Sequence, residues 1–205
     1  MRLLFFVCLP ILLSSCVSLP KSKNTLVDLS TLSKTIQFDL RYATENNRLG
    51  IRLYDASRCY LRTGTARKLL EVQKDLEKRK LRLKIWDAYR PWSVQKILWD
   101  KIHDLRYVSE PSKGSDHNRG AAVDLTLTDW EGRELSMGTP FDYMSRAAWV
   151  DFQGLKEEEK ENRKILHKTM VEHGFVELPT EWWHFYDSEW EQYPILDVPI
   201  SKVER

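Results

Sequence analysis

Two short segments of this chain carry side chains that can bind a metal ion and use it. The first, residues 115–124, contains His117 and Asp124, and the second begins at Glu181 and ends at His184. Together they supply two imidazoles, one carboxylate that can bind a metal, and a second carboxylate left over. A catalytic zinc site has this composition, with three protein ligands, an open position for water and a base that deprotonates the water.

The first segment runs into an alternating pattern that predicts a strand over residues 121–127. In this strand Ala122, Asp124 and Thr126 share one face, while the residues between them are Val or Leu and form the other face. The apolar face should lie in the core, and the two small neighbours of Asp124 leave room for a metal. His117 lies in the loop before the strand, and Gly120 permits the close turn that folds His117 back over it.

In the second segment, Glu181 lies three residues before His184 in a short aromatic stretch that predicts a strand. Positions three apart in a regular strand face opposite sides. The two side chains can therefore act together only if the strand bends at Glu181. Pro179, two residues earlier, is consistent with such a bend.

Each of these residues also has an ordinary structural explanation. A single histidine in an aromatic strand is more often a hydrogen-bonded core residue than a ligand. Asp124 between Val and Leu can be a structural carboxylate, and Glu181 can be exposed. We favour a metal site because all four residues occur together in one order.

The N-terminus predicts export from the cytoplasm. Arg2 precedes an apolar run over residues 3–13, whereas a helix needs about 20 apolar residues to cross a bilayer. A positive start, a short apolar core and small residues are typical of a secretory signal. The stretch Leu13-Ser14-Ser15-Cys16 resembles the bacterial lipobox, in which the cysteine is lipidated.

We therefore predict a signal peptide over residues 1–15 and a lipid anchor on Cys16. A polar tether over residues 16–34 would then lead to a domain over residues 35–205. The protein would be exported and held at the membrane of the bacterial cell envelope by its lipid. An ordinary secretory signal with an incidental cysteine is the alternative.

Length and charge limit the remaining function classes. At 205 residues the chain is long enough for one well-buried domain, and its net charge of +2 is spread over interspersed residues of both signs. The sequence contains no basic stripe of the kind that would indicate a nucleic-acid partner. With Cys8 in the signal and Cys16 at the anchor, Cys59 has no partner for a disulfide, and we expect a buried thiol. The pattern gives no indication of an oligomeric state.

The remaining pattern mixes strands and long helices without a regular strand–helix repeat. Strands are predicted over residues 36–42, 81–85, 121–127, 175–178 and 183–186, and helices over residues 65–79, 93–105 and 155–173. Thr65 and Ser93 are the predicted N-caps. These elements predict an α+β fold with a mainly antiparallel central sheet, flanked by helices and carrying the metal site. The other histidines, His103, His167 and His173, are assigned to the surface of the helices.

The pattern Ser-x-His-x6-Asp followed by Glu-x-x-His resembles the signature of the zinc D-Ala-D-Ala metallopeptidases. The likeness is strongest to the VanX-type D-alanyl-D-alanine dipeptidases. It extends to residues 39–44, 86–91, 137–142 and 174–175. The chain departs from the family at Asp116, where relatives often carry a small hydroxyl residue. We expect this carboxylate to alter the hydrogen bonding around His117.

The resemblance implies one zinc ion per chain, bound by His117, Asp124 and His184. It also implies that Glu181 takes a proton from the attacking water and returns it to the leaving amine. Arg90 would stabilise the oxyanion of the tetrahedral intermediate. From the residues alone, a structural salt bridge is the preferred reading of Arg90.

The implied substrate is the free dipeptide D-alanyl-D-alanine, which presents an ammonium and a carboxylate close together. Asp142 is the candidate partner of the ammonium. Tyr42 and Ser115 are candidates for polar contacts with the dipeptide.

Two other functions remain open. A related D,D-carboxypeptidase or peptidoglycan endopeptidase would act on longer stem peptides, and the match around Tyr42 and Asp142 favours the dipeptidase over it. A wall-binding lipoprotein that a metal merely stabilises would need neither Glu181 nor Arg90. Their presence therefore argues for an enzyme.

Overall fold

Residues 19–204, which this computed structural model describes, contain seven strands and three α-helices. The strands are β1 (Leu26–Asp28), β2 (Gln37–Phe38), β3 (Tyr60–Arg62), β4 (Leu81–Asp87), β5 (Ala122–Asp129), β6 (Phe175–Leu178) and β7 (Glu181–Asp187). The helices are α1 (Thr63–Glu77), α2 (Trp92–Ile102) and α3 (Glu157–Glu172). No helix among these residues combines the length and the apolar composition that crossing a bilayer requires.

The central sheet has five strands in the order β2-β4-β5-β7-β6, and β1 and β3 form a separate antiparallel pair. Neighbours in the central sheet run antiparallel except β2 and β4. That pair is parallel because the chain between the two strands crosses over through α1. The predicted α+β fold with a mainly antiparallel sheet is confirmed.

Helices α1 and α3 pack against the central sheet and against each other. The apolar stripe of Leu69, Val72 and Leu76 on α1 is fully buried and joins the apolar face of β5 in one core cluster. That face consists of Val123, Leu125 and Leu127, all at 0% exposure. Burying one such side chain stabilises the fold by roughly 1.5–3 kcal/mol. This layer therefore determines that the opposite face of β5, which carries Asp124, is turned away from α1 and α3.

Helix α1 begins at Thr63, two residues before its predicted N-cap Thr65. The backbone N–H groups of Thr63 and Gly64 donate to the carbonyls of Thr25 and Lys23, at 2.8 and 3.3 Å. The chain before β1 thus satisfies donors that a local side chain was expected to cap. The prediction was wrong because the real partners are distant in sequence.

Helix α2 begins at Trp92, so the predicted cap Ser93 lies inside its first turn. The backbone N–H of Ser93 donates to Oδ1 of Asp197 at 2.7 Å. A carboxylate close to the C-terminus therefore caps this helix, again through a long-range contact.

Part of the expected tether belongs to the domain. Strand β1 pairs with β3, and Leu29 is fully buried in the core. Residues 26–34 therefore do not form a free linker, because their backbone and apolar side chains take part in packing. The predicted signal over residues 1–15 and the anchor Cys16 lie outside the described residues.

Two further expectations differ from the structure. Within residues 36–42 only Gln37–Phe38 is a strand, because the chain then enters a 3₁₀ turn at Arg41–Ala43. His167 is buried rather than on the surface. Its ring lies between the carboxylate of Glu177, at 2.6 Å, and the carbonyl of Trp182, at 3.0 Å.

Candidate metal centre and active site

The two predicted segments meet at the centre of the sheet. Asp124 of β5 is paired directly with His184 of β7, and Asp87 of β4 is paired with Asp124 on its other side. The register between β4 and β5 shifts after Ile85, and this irregularity brings Asp87 level with Asp124. Directly opposite residues have Cβ atoms about 4.5–5.5 Å apart. Three polar side chains therefore form a row across the three central strands.

His117 reaches this row from the loop before β5. It begins the 3₁₀ turn His117–Arg119, which ends at Gly120 in the left-handed conformation, with φ of 70°. This φ favours glycine, and a Cβ at Gly120 would lie 2.7 Å from a methyl group of Leu26, which would have to move. Nδ1 of His117 lies 2.7 Å from the carbonyl of Ala88. Because a carbonyl only accepts, Nδ1 donates its N–H to it, and Nε2 is the ring nitrogen that faces the site.

Metal-binding atoms of three residues converge on one point. Nε2 of His117 lies 3.2 Å from Nδ1 of His184 and 3.4 Å from Oδ2 of Asp124. Nδ1 of His184 lies 3.0 Å from Oδ1 of Asp124. Zinc bonds of about 2.0–2.2 Å in a tetrahedron place the ligand atoms roughly 3.3–3.6 Å apart. The three donors thus fit a single zinc ion with little adjustment.

Glu181 lies beside these donors because β7 is irregular at its start. Glu177 pairs with Phe185 and the next residue, Leu178, pairs with Glu181, so the register between β6 and β7 shifts there. This is the bend that the spacing of Glu181 and His184 requires. Oε2 of Glu181 lies 4.0 Å from Nδ1 of His184. Burial raises the pKa of Glu181 well above its ordinary value, and the carboxylates of Asp124 and Asp142 raise it further.

The site carries more carboxylates than cations. Burial alone would raise the pKa of Asp124, but His117 and His184 outweigh it and lower that pKa far below its usual range. Burial alone would lower the pKa of His184, but the carboxylates of Asp116 and Asp124 raise it well above its ordinary value. Each group favours the charged form of its neighbour. A cluster of this kind suits a divalent cation, which neutralises the buried carboxylates.

Arg90 forms a buried ion pair at the edge of the same site. Its Nε and Nη2 donate to Oδ2 of Asp87 at 3.1 and 2.7 Å, and its Nη1 donates to Gln95 at 2.9 Å. Asp87 is 0% exposed and also accepts from the hydroxyl of Tyr54 at 2.6 Å. Burial opposes the charge of Arg90, but Asp87 outweighs it and keeps the pKa of Arg90 well above its ordinary value. Arg90 therefore has the salt bridge expected from its sequence context, and its side chain also lines the cleft.

Asp142 faces the metal donors from a loop with an unusual backbone. Its φ is 58°, in the left-handed region that few side chains other than Asn and Asp adopt. The hydroxyl of Tyr42 donates to its Oδ2 at 2.9 Å. Burial, together with the nearby carboxylate of Asp124, raises the pKa of Asp142 to about 7. A carboxylate held in this way is ready to be stabilised by an incoming cation.

The loop that carries Asp142 is fastened to α3 by Arg163. The guanidinium of Arg163 donates to the carbonyls of Met137, Ala147 and Trp149, at 2.7, 3.0 and 3.1 Å. These carbonyls lie on both sides of Asp142 in the chain. One side chain thus holds the two ends of the loop.

Ser115 is buried just before the 3₁₀ turn that begins at His117. Its Oγ accepts from the backbone N–H of Asn118 at 3.2 Å and lies 3.5 Å from Oε1 of Gln95. The hydroxyl therefore has a structural partner as well as access to the cleft.

One cleft, with a cavity volume of about 90 Å³, is shared by all the site residues predicted within the described chain. They are Tyr42, Arg90, Ser115, His117, Asp124, Asp142, Glu181 and His184. Pockets for drug-sized ligands usually measure about 300–1,000 Å³. The cleft therefore suits a small substrate.

Four residues of the site were not predicted in their roles. Asp87, Gln95 and Asn118 hold Arg90, since Asn118 donates to its carbonyl at 2.9 Å. The Asp-x-x-Arg spacing, which begins at the last residue of β4, could have indicated the first of these. Asp116 was expected to alter the hydrogen bonding around His117, and its Oδ1 accepts the backbone N–H of His117 at 2.9 Å; its contact with Nε2 of His184, at 3.0 Å from Oδ2, was not predicted. Burial would raise the pKa of Asp116, yet His184 and His117 lower it to about 2.

The chain is similar to known peptidases over most of its length. The family model described as D-ala-D-ala dipeptidase matches residues 22–203. A D-alanyl-D-alanine dipeptidase of Escherichia coli (strain K12) is 36% identical over 171 residues, which make up 83% of this chain and 89% of the relative. Proteins of the same name from Streptomyces coelicolor and Enterococcus faecalis are 31% and 29% identical. They match over 81% and 80% of this chain and over 93% and 91% of their own lengths.

Two solved structures share a distant likeness. One is the LdcB LD-carboxypeptidase, with a TM-score of 0.42 and 19% identity over 71% of this chain and 70% of that chain. The other is a vancomycin-resistance D,D-pentapeptidase, VanY, in complex with Zn(II), with a TM-score of 0.43 and 13% identity over 67% of this chain and 78% of that chain. At these scores the likeness carries no argument about the site.

Proposed function

We propose that this chain, which belongs to the D-ala-D-ala dipeptidase family, is a zinc enzyme that hydrolyses D-alanyl-D-alanine to two molecules of D-alanine. The observation that carries the proposal is the convergence of metal-binding atoms from three residues in one small cleft. Nε2 of His117, Nδ1 of His184 and the carboxylate of Asp124 lie within 3.4 Å of one another. The second carboxylate, Glu181, is 4.0 Å from this group.

One zinc ion per chain would be held by His117, Asp124 and His184, with the fourth position open to the cleft. When bound there, zinc lowers the pKa of water toward neutrality and polarises the scissile carbonyl. The chain itself supplies a fixed set of donors. Asp124 and His184 are fixed by the pairing of β5 and β7, and His117 is fixed by its hydrogen bond to the carbonyl of Ala88.

Glu181 is the proposed general base and acid. Its carboxylate accepts the proton of the attacking water and delivers it to the nitrogen of the leaving amine. Burial raises the pKa of Glu181, and this supports the role because a more basic carboxylate holds the proton that it accepts until the amine takes it. Its place on the same side of β7 as His184 gives it access to the water.

Arg90 is proposed to stabilise the negative charge that develops on the scissile carbonyl oxygen. The ion pair with Asp87 holds the guanidinium in place before the substrate arrives, so no reorganisation is needed during the reaction. Its salt bridge and its catalytic role are therefore compatible. Asp87 positions Arg90, and Arg90 contacts the reacting atoms.

Asp142 is proposed to bind the free ammonium of the dipeptide, with Tyr42 and Ser115 as polar neighbours. Burial disfavours the charged form of this carboxylate, and pairing with an ammonium would stabilise that form. The small volume of the cleft supports a dipeptide rather than a long stem peptide.

We also propose export and lipid anchoring, on the basis of Leu13-Ser14-Ser15-Cys16 after the apolar run. Mass spectrometry of the mature protein should find a lipid on Cys16, and Cys16→Ser should remove it. An unmodified N-terminus beyond residue 16 would reject the anchor.

The proposed reaction is tested with purified, zinc-loaded protein. D-Alanine release is measured from D-alanyl-D-alanine and from a stem pentapeptide ending in D-Ala-D-Ala, with a chelator-treated sample as control. We expect fast release from the dipeptide, and none after chelation. Cleavage of the pentapeptide at an equal or higher rate would support a D,D-carboxypeptidase instead.

A further inference from the structure

Asp116 contacts both histidines of the proposed zinc site. Its Oδ2 lies 3.0 Å from Nε2 of His184, and its Oδ1 accepts the backbone N–H of His117 at 2.9 Å. The backbone of Asp116 is itself fixed, because its carbonyl accepts from the N–H groups of Arg119 and Ala121, both at 3.1 Å. The carboxylate is therefore held between the turn that carries one ligand and the ring of the other.

The two ring nitrogens of His184 face different partners. Nδ1 lies with the other donors, 3.0 Å from Asp124 and 3.2 Å from His117, whereas Nε2 faces Asp116. An imidazole that binds a metal through Nδ1 keeps its proton on Nε2. A carboxylate that accepts this proton fixes the ring orientation and makes the ligating nitrogen a stronger base.

We propose that Asp116 is a positioning residue for the zinc ion, which tightens zinc binding by accepting the Nε2–H of His184. The inference rests on the proposed function, since it takes His184 as a zinc ligand through Nδ1. His117 uses the carbonyl of Ala88 for the same purpose. The two histidines are thus oriented differently, one by a backbone carbonyl and one by a charged side chain.

The alternative role for Asp116 is to cap the 3₁₀ turn through the N–H of His117. Capping uses Oδ1 and leaves the contact between Oδ2 and His184 unexplained. Serine caps such turns as well as aspartate does but is too short to reach a second partner. Asp116→Ser therefore separates the two roles, and Asp116→Ala removes both.

The test compares zinc dissociation constants, measured by competition with a chromophoric chelator, in the wild type and in these two variants. We expect both variants to bind zinc about 10–100-fold more weakly than the wild type. Asp75→Asn is the matched control, because it removes the carboxylate that lies 2.6 Å from Nε2 of a distant histidine, His173. This control should bind zinc as the wild type does.

A second readout is NMR of the zinc-loaded wild type, which should show the proton of the His184 ring on Nε2. Zinc affinity of Asp116→Ser within twofold of the wild type would overturn the inference, and so would a proton on Nδ1. These outcomes are distinct from a failure of the proposed function. In that case the wild type itself would bind no zinc or would leave the dipeptide intact.

Discussion

Asp124 and His184 are directly paired across β5 and β7, and Oδ1 of Asp124 lies 3.0 Å from Nδ1 of His184. Two of the three proposed zinc ligands therefore lie on neighbouring central strands of the sheet. An ion bound between them would link these strands, so the proposed metal binding would be coupled to folding.

Zinc removal should destabilise the protein. A ligand present at a thousand times its dissociation constant stabilises the folded state by about 4 kcal/mol, which chelation would remove. Single changes of His117, Asp124 or His184 to Ala should abolish stoichiometric zinc, as measured by elemental analysis. His103→Ala, at an exposed histidine, is the control. Full zinc content in His184→Ala would refute the ligand assignment.

Replacing Glu181 should stop the chemistry but not metal binding. We expect Glu181→Gln to keep one zinc per chain and to lower kcat by about 10²–10⁴-fold, as loss of a general acid–base does. Glu177→Gln is a matched control on the neighbouring strand, since Glu177 pairs with His167. If Glu181→Gln retained the wild-type kcat, another group would have to be the base.

The proposed role of Arg90 is best tested with a variant that keeps a positive charge beside Asp87. Arg90→Ala would leave Asp87 buried without its cation, which costs about 3–5 kcal/mol of stability and confuses the kinetics. Arg90→Lys keeps a positive charge but loses the planar fork of donors. We expect this variant to fold and bind zinc while kcat falls and KM changes little. A normal kcat would limit Arg90 to a structural role.

Substrate length tests the role of Asp142. Acetylating the amine of the dipeptide removes its charge, and leaving Asp142 unpaired costs roughly 1–3 kcal/mol, or about one to two decades in rate. N-Acetyl-D-Ala-D-Ala should therefore be a poor substrate in kcat/KM measurements. Asp142→Ala should lower kcat/KM for the free dipeptide and reduce the ratio of kcat/KM between the free and the acetylated dipeptide. If this ratio stays unchanged in Asp142→Ala, the ammonium contact is excluded.

The raised pKa of Asp142 predicts a pH effect on the zinc-free protein. Its pKa is about 7 in the folded state, against about 3.9 in an unfolded chain. Between these values the folded state holds a proton that the unfolded state does not, so stability should fall as the pH rises from about 4 to 7. In urea unfolding with chelator, the free energy of unfolding should decrease over this pH range by roughly 1–4 kcal/mol less in Asp142→Asn than in the wild type. Parallel pH curves for the two proteins would show that Asp142 titrates normally.

The parts of the site that depend on neighbours in sequence could be predicted. The alternation around Asp124 identified which face of β5 is apolar, and Gly120 indicated the tight turn behind His117. The spacing of Glu181 and His184 required a bend, which exists as a shift in register. The family resemblance supplied the grouping of these residues and their roles.

Distant contacts that the family resemblance did not supply could not be predicted. The contact of Asp116 with His184 joins positions far apart in the chain, and only the folded sheet brings them together. The capping of α2 by Asp197 is of the same kind. Local propensity carries no information on such pairs. The sequence predictions therefore miss contacts whose two partners are brought together only by the fold.

Arg163 holds the loop of Asp142 by three backbone carbonyls, and none of these contacts depends on the loop's own side chains. The zinc donors are fixed elsewhere, by strand pairing and by the turn at His117. Mutations can therefore replace side chains of this loop while Arg163 and the metal donors stay in place. With this arrangement, substrate preference can change during evolution without loss of the residues proposed to carry out hydrolysis.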